Sequence, residues 1–159
     1  MFKVGVGFDA HRLAKGRPLI IGGVKIPYNL GLSGHSDADV LIHAIIDGIL
    51  GALAMGDIGT HFPDDDPAYK DIDSMVMLEK VMGWVKREGY VVNNLDNTIV
   101  AERPKLAPHI PGMKKRLSNV LETLPNQINI KATTTEGMGF CGRGEGISAI
   151  SIISLEKQV

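Results

Sequence analysis

Residues 146–155, GISAISIISL, carry apolar side chains on both faces of an extended chain. Successive side chains of a strand point to opposite faces. Ile147, Ala149 and Ile153 therefore stand against Ile150 and Ile152. A strand of this kind needs cover on both sides, from helices or from another subunit. The rest of the chain has to supply it.

Phe2, Val4, Val6 and Phe8 alternate with Lys3, Gly5 and Gly7, the period of a strand with one buried face. PLIIGGVKIPY predicts two short strands around Gly22-Gly23, a two-residue hairpin turn. Ser36-x-x-Asp39 resembles a capping box with Asp in place of Glu. It opens a helix with Val40, Leu41, Ala44, Ile45, Ile49, Ala52 and Leu53 on one side. A second helix follows Asp73-Ser74, turns Leu78, Val81, Met82 and Val85 inward, and stops at Gly89. Residues 90–101 read as a strand, and Gln127 to Ala132 as another. Between them Pro108 to Leu124 reads as a helix with Met113, Leu117, Val120, Leu121 and Leu124 inward. Met75, Met77 and Met82 read as core filler. The order β, ββ, α, α, β, α, β, β predicts an α/β (α+β) fold, a mixed sheet with helices layered on it. With no linker or repeat, the 159 residues form a single domain over 1–159.

Asp9-x-His11 ends the first strand, and residues two apart in a strand point the same way. His43 is the best third partner, with Asp39 and Asp47 one turn before and after it to accept its free N–H. An Asp/His/His set with an open position describes a catalytic zinc site, and it also suits iron(II). Spacing alone equally admits a turn-capping Asp9, a surface His11 and a packed His43. His61 and His109 read as structural. One cysteine in the chain excludes a disulfide framework and a thiolate zinc site, and points to a reducing compartment, the bacterial cytoplasm or an equivalent soluble one. The net charge of −1 gives no electrostatic case for nucleic acid. No run approaches the ~20 apolar residues of a membrane span, and Asp9 comes too early for a signal peptide.

Residues 133–146, TTTEGMGFCGRGEG, offer three hydroxyls, five glycines and Arg143 to an oxyanion. No G-x-x-x-x-G-K-[ST] pattern is present, so this is not a P-loop. Glu136 in such a cradle would repel phosphate unless Mg²⁺ or Mn²⁺ sat between them; the loop also reads as a tight connection and nothing more. Asp64, Asp65 and Asp66 form either a solvated run or a mobile, hydroxyl-binding loop. His35-Ser36 precedes a helix, where a phosphate is favoured.

The segments GFDAHRL, IIGGVKIPY, GLSGHSDADVLIHAIIDGILGA, GDIGTHFPDDDP, PKLAPHIPGM and KATTTEGMGFCGRGEGI follow one another in register. Together they resemble the 2-C-methyl-D-erythritol 2,4-cyclodiphosphate synthase family over essentially the whole chain. The resemblance implies zinc on Asp9, His11 and His43, and a second divalent ion, Mg²⁺ or Mn²⁺, on Glu136. It implies that His35 and Thr134 stabilise the transition state and that Ser36 contacts the reacting phosphate. It places Asp57, Ile58 and Gly59 near a ribose, and Phe62, Pro63, Asp64, Asp65 and Asp66 over a methylerythritol group. Ala101, Pro104, Lys105, Leu106 and Ala107 match a cytosine pocket, with Thr133 and Thr135 contributing. Phe140 and Arg143 match positions bordering the site and a central channel. The implied substrate is 4-diphosphocytidyl-2-C-methyl-D-erythritol 2-phosphate, cyclised with release of CMP in the non-mevalonate isoprenoid pathway. The implied assembly is a homotrimer, helices on one side of each sheet, sites at the subunit interfaces, and a sheet-lined channel open to an isoprenoid diphosphate. PKLAPH differs from the family's PKMLPH form, and Glu102-Arg103 is more charged than in other members. A zinc phosphohydrolase and a non-catalytic nucleotide or isoprenoid-diphosphate binding module are the other classes the residues allow.

Overall fold

The structure, a computed structural model, describes residues 1–158. Two glycines set its first packing step. Strand β1 (Phe2–Ala14) lies against helix α1 (Val40–Leu53). A Cβ on Gly5 would sit 1.9 Å from the Gly48 carbonyl oxygen, and one on Gly7 would sit 1.8 Å from that of Ala44. The backbones of strand and helix are thus in direct contact, which only residues without a side chain permit.

This reverses the expected facing of β1. The alternation does make a strand, but its glycine side is the one buried by the chain's own helix. Phe2, Val4, Val6 and Phe8 point the other way and are 58% to 66% exposed. They adjoin residues of the last strand, β7 (Gly146–Lys157), with Val6 opposite Ile152 and Phe8 opposite Ile150. Ile147, Ala149 and Ile153 are fully buried under helices, whereas Ile150 and Ile152 are 39% and 50% exposed. Helices of this chain supply only one of the two covers that β7 calls for.

The hairpin β2 (Leu19–Ile21) and β3 (Val24–Ile26) turns at Gly22 and Gly23, with φ of 62° and 72°, as a two-residue primed turn requires. Short β4 (Gly31–Leu32) precedes α1, and α2 (Ile58–His61) and α3 (Ser74–Arg87) follow it. Then come β5 (Tyr90–Val100), α4 (Ile110–Leu121), β6 (Ile128–Thr133) and α5 (Gly139–Gly142). The main sheet has the order β4-β1-β7-β5-β6; only the β5–β6 pair is parallel. The expected mixed α/β architecture is therefore present.

Helix α1 is apolar beyond the one side that its spacing predicts. Ile42, Ile46 and Leu50 are as buried as Leu41, Ile45 and Ile49, because the helix lies between the sheet and α3. Its N-cap is Asp39, not Ser36: the Asp39 carboxylate accepts the Ile42 N–H at 3.1 Å. Helix α4 starts two residues later than expected, after a 3₁₀ turn over Ala107–His109, and ends at Leu121 with Glu122 at φ 51°. Leu124 lies beyond that end and is exposed instead of inward. Met75, Met77 and Met82 are buried as expected. No helix among the described residues is long and apolar enough to cross a membrane.

Gly7→Ala should destabilise the fold by about 3 kcal/mol, since the added methyl meets backbone that cannot rotate away. The gain of up to ~1 kcal/mol from a stiffer unfolded chain does not offset this. Thermal melting should show Tm lowered by roughly 6–12 °C; an unchanged Tm would contradict the close contact.

Candidate active site

Asp9 and His11 continue the face of β1 that Gly5 and Gly7 press against α1, and His43 precedes Ala44 on that helix. The three side chains converge. Asp9 Oδ2 lies 2.8 Å from His11 Nε2 and 3.2 Å from His43 Nδ1, and the two ring nitrogens are 3.1 Å apart. A tetrahedral ion with bonds of about 2.0–2.1 Å needs donors about 3.3 Å apart, so the triangle is close to one face of that tetrahedron. His11 Nδ1 donates to the Ser33 carbonyl at 2.9 Å, which leaves the lone pair of the neutral ring on Nε2, facing the triangle. The group of Asp9, His11 and His43 fits a divalent metal with one side open.

Burial opposes charge on His11, but the hydrogen bond and charge of Asp9 outweigh it and raise its pKa above 6.5. Burial would likewise raise Asp9, yet hydrogen bonds and charge from His11 and His43 hold its carboxyl at about 2.

The expected partners of His43 prove to be different residues. Asp39, as N-cap, turns back to accept the Gly22 and Gly23 N–H groups at 2.9 and 2.7 Å, and does not reach the imidazole. Burial and the neighbouring Asp37 charge push Asp39 up to about 6, against the three backbone N–H bonds it accepts. Asp47 accepts the Ile58 N–H at 3.0 Å. The Nε2 of His43 instead meets Ser74 Oγ at 2.9 Å and Ser36 Oγ at 3.1 Å. Ser74 in turn donates to the Asp37 carboxylate. Ser74 had a sequence signal only at the start of α3, and Asp37 only as a residue of the GLSGHSDADV segment.

The triangle opens into a cleft of about 290 Å³, also lined by His35, Ser36, Ile58, Gly59, Phe62 and Asp64. At its edge His35 Nε2 donates to the Asp66 carbonyl at 2.9 Å. Asp66 caps the 3₁₀ turn Pro67–Tyr69, and Asp65 faces solvent, so the acidic run divides three ways. Pro63 is half-buried beside the cleft-lining Phe62. Asp57 is the exposed N-cap of α2; its carboxyl is held below the usual range by the Thr60 hydroxyl and N–H.

Other expected site residues lie apart in this chain. Ala101, Pro104, Lys105, Leu106, Ala107, Thr133 and Thr134 line a separate cavity of about 210 Å³ together with Glu102. It shares no lining residue with the cleft. In the Gly-rich loop, Thr135 donates to the Met138 carbonyl, Thr133 to that of Thr134, and Thr134 Oγ1 accepts the Glu136 N–H at 3.2 Å. Glu136 is exposed and lies outside the metal-type group. Arg143 is forked onto Glu145 at 2.9 and 3.3 Å, so its charge serves a neighbour and not the cradle. Phe140 borders a third cavity with His11, Arg12 and Glu145. His61 is structural, bonding the Met55 carbonyl and packing on Trp84.

Fold and site together define a mixed α/β sheet protein whose cleft carries an Asp/His/His group able to hold a metal ion. The profile of the YgbB family matches residues 2–156. The 2-C-methyl-D-erythritol 2,4-cyclodiphosphate synthase of Bacillus cereus strain B4264 is 60% identical over 158 residues, covering 99% of this chain and all of that one. The bifunctional IspDF of Campylobacter jejuni superposes with a TM-score of 0.95 at 39% identity, over 99% of this chain and 43% of that longer one. The CDP complex of Plasmodium falciparum IspF gives 0.87 at 32% identity, over 99% of this chain and 97% of that one. The chain belongs to the YgbB family, that of the 2-C-methyl-D-erythritol 2,4-cyclodiphosphate synthases.

Because folding raises the pKa of His11, its pairing with Asp9 stabilises the metal-free fold below pH 6.5, and this is lost as pH rises through the folded value. The lowered Asp9 pKa contributes stability above about 3.8, lost as pH falls toward about 2. Imidazole proton NMR of the metal-free protein should give a His11 midpoint above 6.5 that falls in Asp9→Asn. An unmoved midpoint would refute the pairing.

Proposed function

We propose that this chain converts 4-diphosphocytidyl-2-C-methyl-D-erythritol 2-phosphate to 2-C-methyl-D-erythritol 2,4-cyclodiphosphate and CMP, a phosphorus–oxygen lyase step of non-mevalonate isoprenoid synthesis. The observation that carries this reading is the convergence of Asp9 Oδ2, His11 Nε2 and His43 Nδ1 within 3.2 Å of one another in a cleft. Family membership and the CDP bound to a relative support the substrate class.

In the reaction an oxygen of the 2-phosphate bonds to the β-phosphorus. The bond from that phosphorus to the bridging oxygen breaks, and CMP leaves with the bridging oxygen. The nucleophile is already an anion at neutral pH, so the protein needs no strong base. Its task is to fold the substrate on itself and offset charge. Zinc on Asp9, His11 and His43, and Mg²⁺ or Mn²⁺ on the exposed Glu136, would supply Lewis acidity and neutralise the diphosphate. His35 lines the cleft, and its Nε2 N–H would exchange the Asp66 carbonyl for a phosphoryl oxygen. Thr134 accepts the Glu136 N–H, which leaves its hydroxyl proton to donate. Ser36, which lines the cleft, would contact the reacting phosphate. Asp57, Ile58 and Gly59 would hold the ribose and residues 62–66 the methylerythritol carbons. The cavity of residues 101–107, with Thr133 and Thr135 nearby, would take the cytosine.

A homotrimer accounts for the division of these residues. With sites between subunits, the 101–107 cavity and the 133–136 loop of one copy would face the Asp9 cleft of the next. The uncovered face of Phe2, Val4, Val6, Phe8, Ile150 and Ile152 gives such an assembly its apolar seam. Phe140 and Arg143 would border a central channel able to take an isoprenoid diphosphate.

³¹P NMR with the cytidyl substrate, Zn²⁺ and Mg²⁺ in ¹⁸O-water should give a cyclic diphosphate without ¹⁸O, plus CMP. A linear, ¹⁸O-labelled product would instead make the chain a phosphohydrolase, and absence of CMP release would make it a binding module. His43→Ala should stay folded but lose zinc and more than about 100-fold in turnover; an active zinc-free variant would refute the ligand set. Sedimentation should give three copies per particle, and Val6→Lys should dissociate them. A monomeric parent would overturn the assembly.

A further inference from the structure

We infer that Ser74 and Asp37 are positioning residues that fix the tautomer and orientation of His43, leaving its Nδ1 bare toward Asp9 and His11. The inference rests on the metal reading of Asp9, His11 and His43.

Ser74, the first residue of α3, is fully buried. Asp37 sits in the loop before α1, and its N–H is held by the Ile72 carbonyl at 3.1 Å. The Asp37 carboxylate accepts the Ser74 hydroxyl, the Ser74 N–H at 3.0 Å and the Asp39 N–H at 3.1 Å. A carboxylate only accepts, so the hydroxyl proton of Ser74 is committed to it. Toward His43 the Ser74 oxygen can then act only as acceptor. At 2.9 Å, Nε2 must be the donor. Ser36 Oγ, which takes the Ala38 N–H at 3.2 Å, lies 3.1 Å from the same nitrogen. A neutral imidazole carries one N–H, so with Nε2 protonated the lone pair falls on Nδ1.

The bias has a competitor to overcome. Asp9 Oδ2 lies 3.2 Å from Nδ1 and by itself favours the opposite tautomer, with the proton on Nδ1. That tautomer points a hydrogen at the metal position and turns the lone pair away from it. The Asp37–Ser74 pair acts on the far side of the ring against this alternative, and it also pins the ring plane, because both of its members are anchored to backbone at the starts of α1 and α3.

The test uses the full chain. Long-range ¹H–¹⁵N spectra of metal-free protein, above the pH at which the histidines are protonated, should show His43 with Nδ1 unprotonated. Ser74→Ala should shift the ring toward the Nδ1-protonated form and weaken Zn²⁺ binding, measured by chelator competition, by roughly 10–100-fold. Ser74→Thr, which restores the hydroxyl, should recover most of that loss. Should Ser74→Ala fail to fold, Asp37→Asn is read by the same two measurements. An Nδ1-protonated parent ring, or zinc affinity within twofold of the parent in the folded variant, would overturn the inference. If the parent itself binds no zinc, it is the metal reading that fails, whereas equal binding by parent and variant removes only the role of Ser74 and Asp37.

Discussion

The backbone contact between β1 and α1 is the constraint on which the cleft depends. Two of the converging donors belong to the strand and the third to the helix, so their separation is set by how closely the two elements approach. Gly5 and Gly7 allow that approach by offering no side chain to the Gly48 and Ala44 carbonyls. A methyl group at either position would move α1 by more than metal–ligand bonds tolerate, since acceptable distances vary by only about 0.2 Å. The two glycines are in this sense members of the site, although neither touches a ligand.

Much of this was legible from local pattern. The β1 alternation, the inward side of α3 and the two-faced β7 follow from periodicities of 2 and 3.6, and the hairpin turn from the Gly22-Gly23 pair itself. The same patterns could not say which face of β1 lies inside. Phe2, Val4, Val6 and Phe8 look like core, and only the pairing with α1 shows that the glycines take that place. The spacing of Asp39, His43 and Asp47 suggested neighbours one helical turn apart. Asp39 is outside the helix as its N-cap, and Asp47 is drawn away by Ile58, so neither reaches the ring. Asp9, His11 and His43 were readable because type and spacing agree. Ser74 and Asp37 were not, because Ser74 meets His43 only through tertiary packing, 31 residues from it along the chain, and Asp37 acts on it only through Ser74.

The Gly-rich segment teaches a different lesson. Its hydroxyls and glycines read as one anion cradle, yet the threonine hydroxyls close the loop on itself and Arg143 answers to Glu145. What remains free is Glu136 and the outer side of the loop. A linear motif can thus hold residues that shape the loop alternately with residues that face outward, and only coordinates separate the two kinds.

The His35–Asp66 bond has one more consequence. Residues 62–72 are fastened at one end by buried Phe62, which packs on Tyr69 and Trp84. At the other end Asp71 bonds the His35 carbonyl and Ile72 accepts from Asp37. Between these moorings the His35 ring makes the link to Asp66. One N–H serves one strong acceptor at a time, so an anion that captured it would free the Asp66 carbonyl from His35 while the Tyr69 N–H still held that oxygen and both ends stayed tied. Binding of an anion and loosening of this one link would then be a single exchange of one proton donor.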